Sequence, residues 1–299
     1  MIGVFDSGHG GLTVLKALAD QFTTQEFLYL GDHANAPYGN RPSDEVVELT
    51  RAGVELLFEK GCRLVLLGCN TATSIACRSL QQDWLPASPW MGRNILGIIA
   101  PTVEVATQTS WGVTEPQYPQ MYKTDVIAVF ATQRTIESGV FQEEISKRCP
   151  RIRIVGQACP QLAGMIEAGK SEAELEALVA SYVDEMLAAA SEAGACADGQ
   201  PHYAILGCTH YPLVEHLFAK HLPKTCRLLS QPRIVADSLE HYLARHTEYA
   251  TPLAVEGVRQ ASSTLPRVRL LTTGNLAEVE ARQFMGWSDR PCFAAPTSL

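Results

Sequence analysis

The chain has 299 residues and a net charge of −8, with 46% hydrophobic and 19% charged residues. These values are typical of a globular protein with a substantial core, so they exclude extensive disorder and fibrous repeats. Phosphate backbones repel an acidic chain, which argues against non-specific binding to nucleic acid. The N-terminus enters an apolar run at residues 2–5, and no apolar stretch reaches ~20 residues. We therefore expect neither a signal peptide nor a membrane span.

The cysteines favour a reducing compartment. There are nine of them, an odd number, and none forms a Cys-x-x-Cys pair. A disulfide framework is therefore a poor fit. The spacings of Cys62, Cys69 and Cys77, and of Cys208 with His210, do not complete a tetrahedral zinc site. We expect a cytoplasmic protein with no bound metal, in which the cysteines are either buried or reactive.

Apolar runs alternate with helical patterns along the first hundred residues. The runs predict strands at 2–5, 26–30 and 63–67, each closed by a turn. Amphipathic spacing predicts helices at 12–20, 43–60 and 72–81, with Ser43 as the N-cap of the second helix. Strands that alternate with helices in this way indicate a doubly wound α/β fold with a parallel sheet.

The alternation begins again near residue 126. It predicts strands at 126–130, 152–155 and 203–206, with helices from about 135 and at 172–192. Between the two halves, residues 110–125 contain two prolines, two glutamines and two tyrosines and predict a long loop. A final strand is expected near 268–271, followed by an irregular tail after Asp289.

Short segments of the two halves are alike. The sequence IGVF at residues 2–5 is similar to IAVF at 127–130, and LLGCNT at 66–71 is similar to ILGCTH at 205–210. Matches of this length also arise by chance. The residues leave open whether the halves arose by internal duplication.

A glycine-rich segment, DSGHGG at residues 6–11, follows the first strand and precedes a helix. Ligands of open α/β sheets bind at this end of the strands, and glycine leaves backbone N–H groups accessible to an anion. A nucleotide site is not indicated, because Gly-Lys-Ser/Thr is missing and Thr13 replaces the last glycine of a dinucleotide motif. The alternative is a glycine turn in which Asp6 and Ser7 cap the helix. The PYGN segment at 37–40 is by itself only a turn signal.

Two cysteines occur in matched positions. Cys69 and Cys208 each follow a strand that ends in Leu-Gly. A thiol at a helix N-terminus loses its proton more readily, and Asp6 and His210 are candidate proton partners. Two thiols facing one carbon would remove a proton on one side and return one on the other, inverting the stereocentre. The alternative is that both are small buried residues, the commoner role of cysteine.

Four segments carry a resemblance to a known family: IGVFDSGHGGLTVL, LGDHANAPYGNR, LLGCNTATS and ILGCTHYPL, in this order. They resemble glutamate racemases of the cofactor-independent Asp/Glu racemase superfamily. The resemblance implies two α/β domains, about 1–99 plus 213–299 and 100–212, with the active site in the cleft between them. It also implies a homodimer that uses no cofactor and binds a small amino acid, glutamate.

The resemblance assigns roles to individual residues. Cys69 corresponds to the thiol that removes the α-proton of the D-isomer, and Cys208 to the thiol that serves the L-isomer. Asp6 corresponds to the carboxylate beside the first thiol, His210 to the imidazole beside the second, and Glu167 to an acidic residue also near the second. The positions that correspond to substrate-binding residues are Asp6, Ser7, Tyr38, Gly39, Asn70, Thr71, Thr135 and Thr209.

Two departures from the family keep other functions open. His9 occupies a position that is usually apolar, and the 110–125 loop is longer than usual. The main hypothesis is a glutamate racemase that supplies D-glutamate for peptidoglycan. An aspartate or broad-specificity racemase is the nearest alternative, because one methylene gives only about 1–3 kcal/mol of discrimination. A third hypothesis is a non-catalytic protein-binding role, such as the gyrase inhibition associated with some family members.

Overall fold

The computed structural model describes residues 1–118, 126–192, 200–251, 267–282, 284, 286–287 and 289–298. Part of the predicted 110–125 loop and Cys196 lie outside this range. Within it, the strands in chain order are β1 (Ile2–Asp6), β2 (Phe27–Gly31), β3 (Leu64–Leu67), β4 (Asn94–Gly97), β5 (Val126–Ala131), β6 (Arg153–Ala158), β7 (Tyr203–Gly207), β8 (Arg227–Leu229), β9 (Val268–Thr272) and β10 (Phe293–Ala294).

Helices connect these strands. In chain order they are α1 (Leu12–Gln21), α2 (Ser43–Glu59), α3 (Asn70–Ser79), α4 (Leu85–Ala87), α5 (Ile99–Thr107), α6 (Gln133–Glu137), α7 (Val140–Arg148), α8 (Leu162–Glu167), α9 (Glu172–Glu192), α10 (Glu215–His221), α11 (Gln231–Arg245) and α12 (Leu276–Ala281). A π-helical segment, Leu80–Trp84, joins α3 to α4. Among the described residues, no helix is long and apolar enough to cross a membrane.

The strands form two parallel sheets. The first has the order β10-β9-β2-β1-β3-β4, and the second has the order β6-β5-β7-β8. The inner order β2-β1-β3-β4 of the first sheet is therefore repeated by the second, with β5 equivalent to β1 and β7 equivalent to β3. This repeat supports the internal duplication that the short sequence matches suggested, and the predicted α/β class is confirmed.

Burial explains why the central strands are continuously apolar. Every residue of β1, β3 and β5 is buried. Each sheet has one hydrophobic cluster on either face, so helices cover both sides and an alternating polar pattern would be unstable. The apolar runs at these strands were consequently readable from the sequence.

Three short strands escaped the sequence analysis. These are β4, β8 and β10, which have four, three and two residues. The tail after Asp289, predicted to be irregular, contains β10, which pairs with β9. Pro42 is the N-cap of α2, and the predicted cap Ser43 is instead the first helical residue. The N-cap of α1 is Gly11, so neither Asp6 nor Ser7 caps that helix.

The predicted domain limits need one refinement. Strand β8 pairs with β7 in the second sheet, and α10 packs against α9. Both elements follow residue 212, where the sequence analysis ends the second domain. We propose that the chain returns to the first domain after Leu229, and the two-domain limits otherwise stay a prediction.

A glycine on α2 packs against the first strand. A Cβ added at Gly53 would overlap the ring of Phe5, a fully buried residue of β1. We expect Gly53→Ala to lower the free energy of unfolding by about 1–3 kcal/mol, because overpacking outweighs the gain in helix propensity. Urea denaturation measures the change. The matched control is Gly164→Ala on α8, where the Cβ would enter open space and stability should not fall.

Candidate active site

The loop after β1 lies between the two cysteine segments. On one side, the Ser7 hydroxyl is 3.6 Å from the Cys69 sulfur. On the other side, the Thr209 hydroxyl donates to Asp6 Oδ2 at 3.3 Å. The loop is held in shape by the Gly8 N–H, which donates to Asp6 Oδ1 at 2.8 Å. The carboxyl ends of β1, β3 and β7 therefore bring Asp6, Cys69 and Cys208 to one place.

Cys69 is buried and forms the N-cap of α3. Its sulfur accepts a hydrogen bond from the Ala72 N–H at 3.5 Å, as expected for a thiol at a helix start. Burial, followed by the charge of Asp6, nevertheless raises the pKa of the thiol to about 12, against the lowering effect of the Ala72 and Ser7 hydrogen bonds. The sequence interpretation, in which the helix end lowers the pKa of this thiol, is wrong for this structure. Desolvation outweighs the helix dipole.

Cys208 has a different environment. It precedes a 3-10 turn, Tyr211–Val214, rather than the N-terminus of an α-helix. Its sulfur is 3.7 Å from Nδ1 of His210, and Nε2 of His210 is 2.8 Å from Glu167 Oε1. Although burial lowers the pKa of His210, its contacts with Cys208 and Glu167 raise the pKa well above 6.5. The three side chains form a hydrogen-bonded series in which the protonated form of His210 is favoured over the neutral form.

Glu167 is the charged end of this chain. Burial alone would raise the pKa of its carboxyl, but the hydrogen bond and charge of His210 lower it to about 2. Its second oxygen is 3.3 Å from Nη1 of Arg282, and its first accepts the His9 N–H at 3.4 Å. A cavity beside the pair is lined by His9, Ile166, Glu167, His210, Leu213, Arg282 and Phe284.

Three threonine hydroxyls connect the two halves near Cys69. Thr71 Oγ1 is 3.0 Å from Thr132 and 3.4 Å from Thr135, and the latter two are 3.0 Å apart. A Cβ at Gly39 would lie 3.0 Å from the Thr132 side chain, so glycine permits this close approach. Thr132, which caps α6, was not predicted as a site residue. Its position directly after β5, as Ser7 follows β1, was the available signal.

The side chain of Asn70 is hydrogen-bonded to Gln231, a second residue that the sequence analysis did not identify. Its side-chain amide donates to Gln231 Oε1 at 2.6 Å and accepts from Gln231 Nε2 at 3.0 Å. Gln231 also donates to the Thr102 hydroxyl at 3.0 Å. Nothing in the sequence around Gln231 indicated this contact, because the two amides are 161 positions apart.

Tyr38 is buried, and its hydroxyl donates to Asp32 at 2.6 Å. Burial, followed by the charge of Asp32, raises the pKa of the phenol. The Thr273 hydroxyl also donates to Asp32, at 2.6 Å. The predicted substrate contact of Tyr38 therefore does not use a free hydroxyl in this structure.

His9, the departure from the family pattern, is 2% exposed and forms a pair with His33. Nε2 of His33 is 3.1 Å from Nδ1 of His9, and the two rings meet edge to face at 4.3 Å. Burial lowers the pKa of His9 to about 4 and that of His33 to about 3. Both rings are therefore neutral near pH 7.

This pair makes stability depend on pH. Between pH 6.5 and their lowered pKa values, His9 and His33 bind fewer protons in the folded than in the unfolded state. Stability is therefore present above pH 6.5 and lost as the pH falls, by up to about 2 kcal/mol for each histidine by pH 5. We expect the double variant His9→Gln/His33→Gln to lose less stability than the wild type between pH 7 and 5. Urea denaturation at both pH values tests this, with His241→Gln as the control, and equal losses would contradict it.

The structure brings most of the predicted site residues together. Seven of them surround the β1 loop: Asp6, Ser7, Cys69, Glu167, Cys208, Thr209 and His210. Gly39, Thr71 and Thr135 lie at the threonine cluster, while the polar groups of Tyr38 and Asn70 are engaged by Asp32 and Gln231. Cys69 and Cys208 are both free thiols.

Comparisons with known proteins identify the family of the chain, although no protein-family model matches it. A glutamate racemase from Phenylobacterium zucineum is 46% identical over 252 residues, which are 83% of this chain and 87% of that protein. One from Paracoccus denitrificans is 41% identical over 286 residues, 95% of this chain and 96% of that protein. The crystal structure of a glutamate racemase isoform from Bacillus anthracis has a TM-score of 0.73 at 27% identity and covers 94% of this chain and 91% of its own. The chain therefore belongs to the glutamate racemase family and is an amino-acid racemase.

Proposed function

We propose that the protein interconverts L- and D-glutamate by a two-base reaction in which Cys69 and Cys208 are the acid–base groups. One observation carries the proposal. Two buried cysteines follow equivalent strands, β3 and β7, and flank the same loop, yet each has its own polar partners. Two thiols in equivalent positions, each with its own polar partners, suit a reaction that must run in both directions.

Two protons move in each turnover, one at each sulfur. In the L-to-D direction, the Cys208 thiolate takes the α-proton, and the Cys69 thiol gives its proton to the opposite face of the carbanion. The imidazolium of His210, held by Glu167, stabilises the thiolate of Cys208 before the transfer. The raised pKa of Cys69 keeps it protonated and ready to donate. In the reverse direction, the roles of the thiols exchange, with Asp6 beside the first thiol.

The substrate is held by short polar groups. We assign the carboxylates and ammonium of glutamate to Asp6, Ser7, Tyr38, Gly39, Asn70, Thr71, Thr135 and Thr209. The α-proton is very weakly acidic, so the carbanion requires preorganised donors in a desolvated pocket. The clustered hydroxyls of Thr71 and Thr135 and the buried Asn70 amide support this assignment, since each is already oriented by a neighbour.

Exchange in D2O tests the proposal. The purified protein, without added cofactor, is incubated separately with L-glutamate and D-glutamate. Proton NMR follows loss of the α-proton, and a chiral assay follows the enantiomers. We expect exchange with inversion from both isomers. If the folded protein exchanges aspartate but not glutamate, the substrate assignment is wrong, and if no amino acid of a wider panel exchanges, a protein-binding role becomes the better hypothesis.

The cellular role follows from the substrate. We propose that the enzyme acts in the cytoplasm as a homodimer and supplies D-glutamate for peptidoglycan synthesis. Family membership supports this placement, and light scattering after size-exclusion chromatography tests the dimer. A single species near the 32.6 kDa of one chain would contradict it.

A further inference from the structure

His9 lies outside the groups that surround the two thiols, but it is part of the loop after β1 that contacts both groups. Residues 7–10 contact groups beside both proposed catalytic thiols. Ser7 reaches Cys69, and the backbone N–H of His9 reaches Glu167. A Cβ at Gly10 would lie 2.6 Å from the ring of His210. The position of this loop therefore sets the geometry around both thiols at once.

The side chain of His9 fastens this loop to the C-terminal part of the chain. Nε2 of His9 is 3.3 Å from the carbonyl oxygen of Val279 on α12. The ring also packs against Phe284, with centroids 6.5 Å apart and nearly parallel planes, and edge to face on Phe293 at 5.8 Å. An apolar residue at this position would keep the packing and lose the hydrogen bonds.

The partners of His9 allow one arrangement of protons when both rings are neutral. The carbonyl of Val279 only accepts, so Nε2 of His9 carries the hydrogen. Nδ1 of His9 is then an acceptor for the Nε2–H of His33 at 3.1 Å. Nδ1 of His33 in turn accepts from the Thr272 hydroxyl at 2.8 Å. Each histidine is therefore fixed as the Nε2–H tautomer.

The groups beyond His33 in this series of hydrogen bonds also have partners. The Thr272 oxygen accepts the Gly274 N–H at 2.9 Å, which leaves its hydrogen for His33. The Gly31 carbonyl, 3.0 Å from Nδ1 of His33, accepts instead from the Thr273 N–H at 3.2 Å. The series runs without an unpaired polar atom from β9 through His33 to the loop, which gives the loop a defined position.

We propose that His9 is a positioning residue: through its bonds to Val279 and His33 it fixes the β1 loop, so that the His9 N–H holds Glu167 against His210. The proposal rests on the proposed function for its kinetic consequence. The structural consequence of the positioning role does not depend on the proposed function, because the protonation state of His210 is measurable without substrate.

Three proteins separate positioning from packing. His9→Phe keeps an aromatic ring and leaves both Val279 O and the Nε2–H of His33 without a partner. His9→Gln is the rescue variant, since its amide can still donate towards Val279. His241→Phe, on the exposed face of α11, is the matched control for the loss of a histidine.

Kinetics give the first result. We expect His9→Phe to lower kcat about tenfold in both directions while KM changes less than threefold, because His9 orients Glu167 without touching substrate. His9→Gln should recover at least about a third of the wild-type kcat. Unchanged kcat in His9→Phe overturns the proposal. So does equal loss in both variants while their unfolding free energies match that of the wild type.

Ring 15N NMR of the full-length protein gives the second result and does not require catalysis. In the wild type, His9 and His33 should both have the signature of the Nε2–H tautomer. The His210 ring should titrate at lower pH in His9→Phe than in the wild type. An Nδ1–H tautomer at His9, or an unchanged titration of His210 in a folded His9→Phe, refutes the positioning role. Absence of racemisation by the wild type would instead reject the proposed function.

Discussion

Cys69→Ser and Cys208→Ser should each lower the rate of glutamate racemisation by at least about 10³-fold, because a serine hydroxyl cannot act as the thiol base at neutral pH. Each change removes the base on one face and leaves the other in place. The side chains are nearly equal in size, so the loss reports chemistry rather than a cavity. A chiral assay of both directions measures it, with Cys226→Ser, a half-buried cysteine on the second half, as the control expected to keep activity.

Exchange without inversion identifies which thiol serves which isomer. In Cys69→Ser, Cys208 can still remove and return the α-proton of L-glutamate, so this isomer should exchange in D2O while D-glutamate does not. The pattern should reverse in Cys208→Ser. Normal racemisation by both variants would contradict the two-base reaction. Exchange of the same isomer by both would contradict the assignment of the faces.

Glu167→Gln should lower kcat by about 10²-fold near neutral pH. The carboxylate is the 2.8 Å partner of His210. Burial lowers the pKa of the imidazole, and without Glu167 only the contact with Cys208 opposes that effect. His210 should then lose its proton at lower pH than in the wild type, and Cys208 loses the cation beside it. The pH dependence of kcat/KM measures this, because the limb that reports His210 should move to lower pH in the variant.

The chain provides a matched control for this substitution. Glu172 also pairs with a histidine, His216, at 3.3 Å, but both side chains are exposed. Exposed ion pairs contribute little, so Glu172→Gln should leave both the rate and its pH dependence unchanged. If Glu167→Gln behaves like Glu172→Gln, the His210–Glu167 pair has no part in the reaction.

The sequence by itself determined the part of the site that lies at strand ends. Strands β1, β3 and β7 are buried on both faces, and this burial requires continuous apolar runs that can be seen without a structure. The residue after such a run lies at the carboxyl edge of a parallel sheet. Asp6, Cys69 and Cys208 were therefore placed correctly from their positions alone, as was the repeat of β3 by β7.

Only the tertiary structure decided the rest. Strand β8 has only three residues, too few for a sequence pattern, and its pairing with β7 comes from a neighbour distant in sequence. The helix start predicted an acidic thiol at Cys69, but the depth at which the loop buries it reversed the direction of the pKa. Likewise, Gln231 and His9 act through partners 161 and 270 positions away. Local sequence fixes which groups stand at an edge, whereas desolvation and long-range pairing, which arise only on packing, decide what those groups can do.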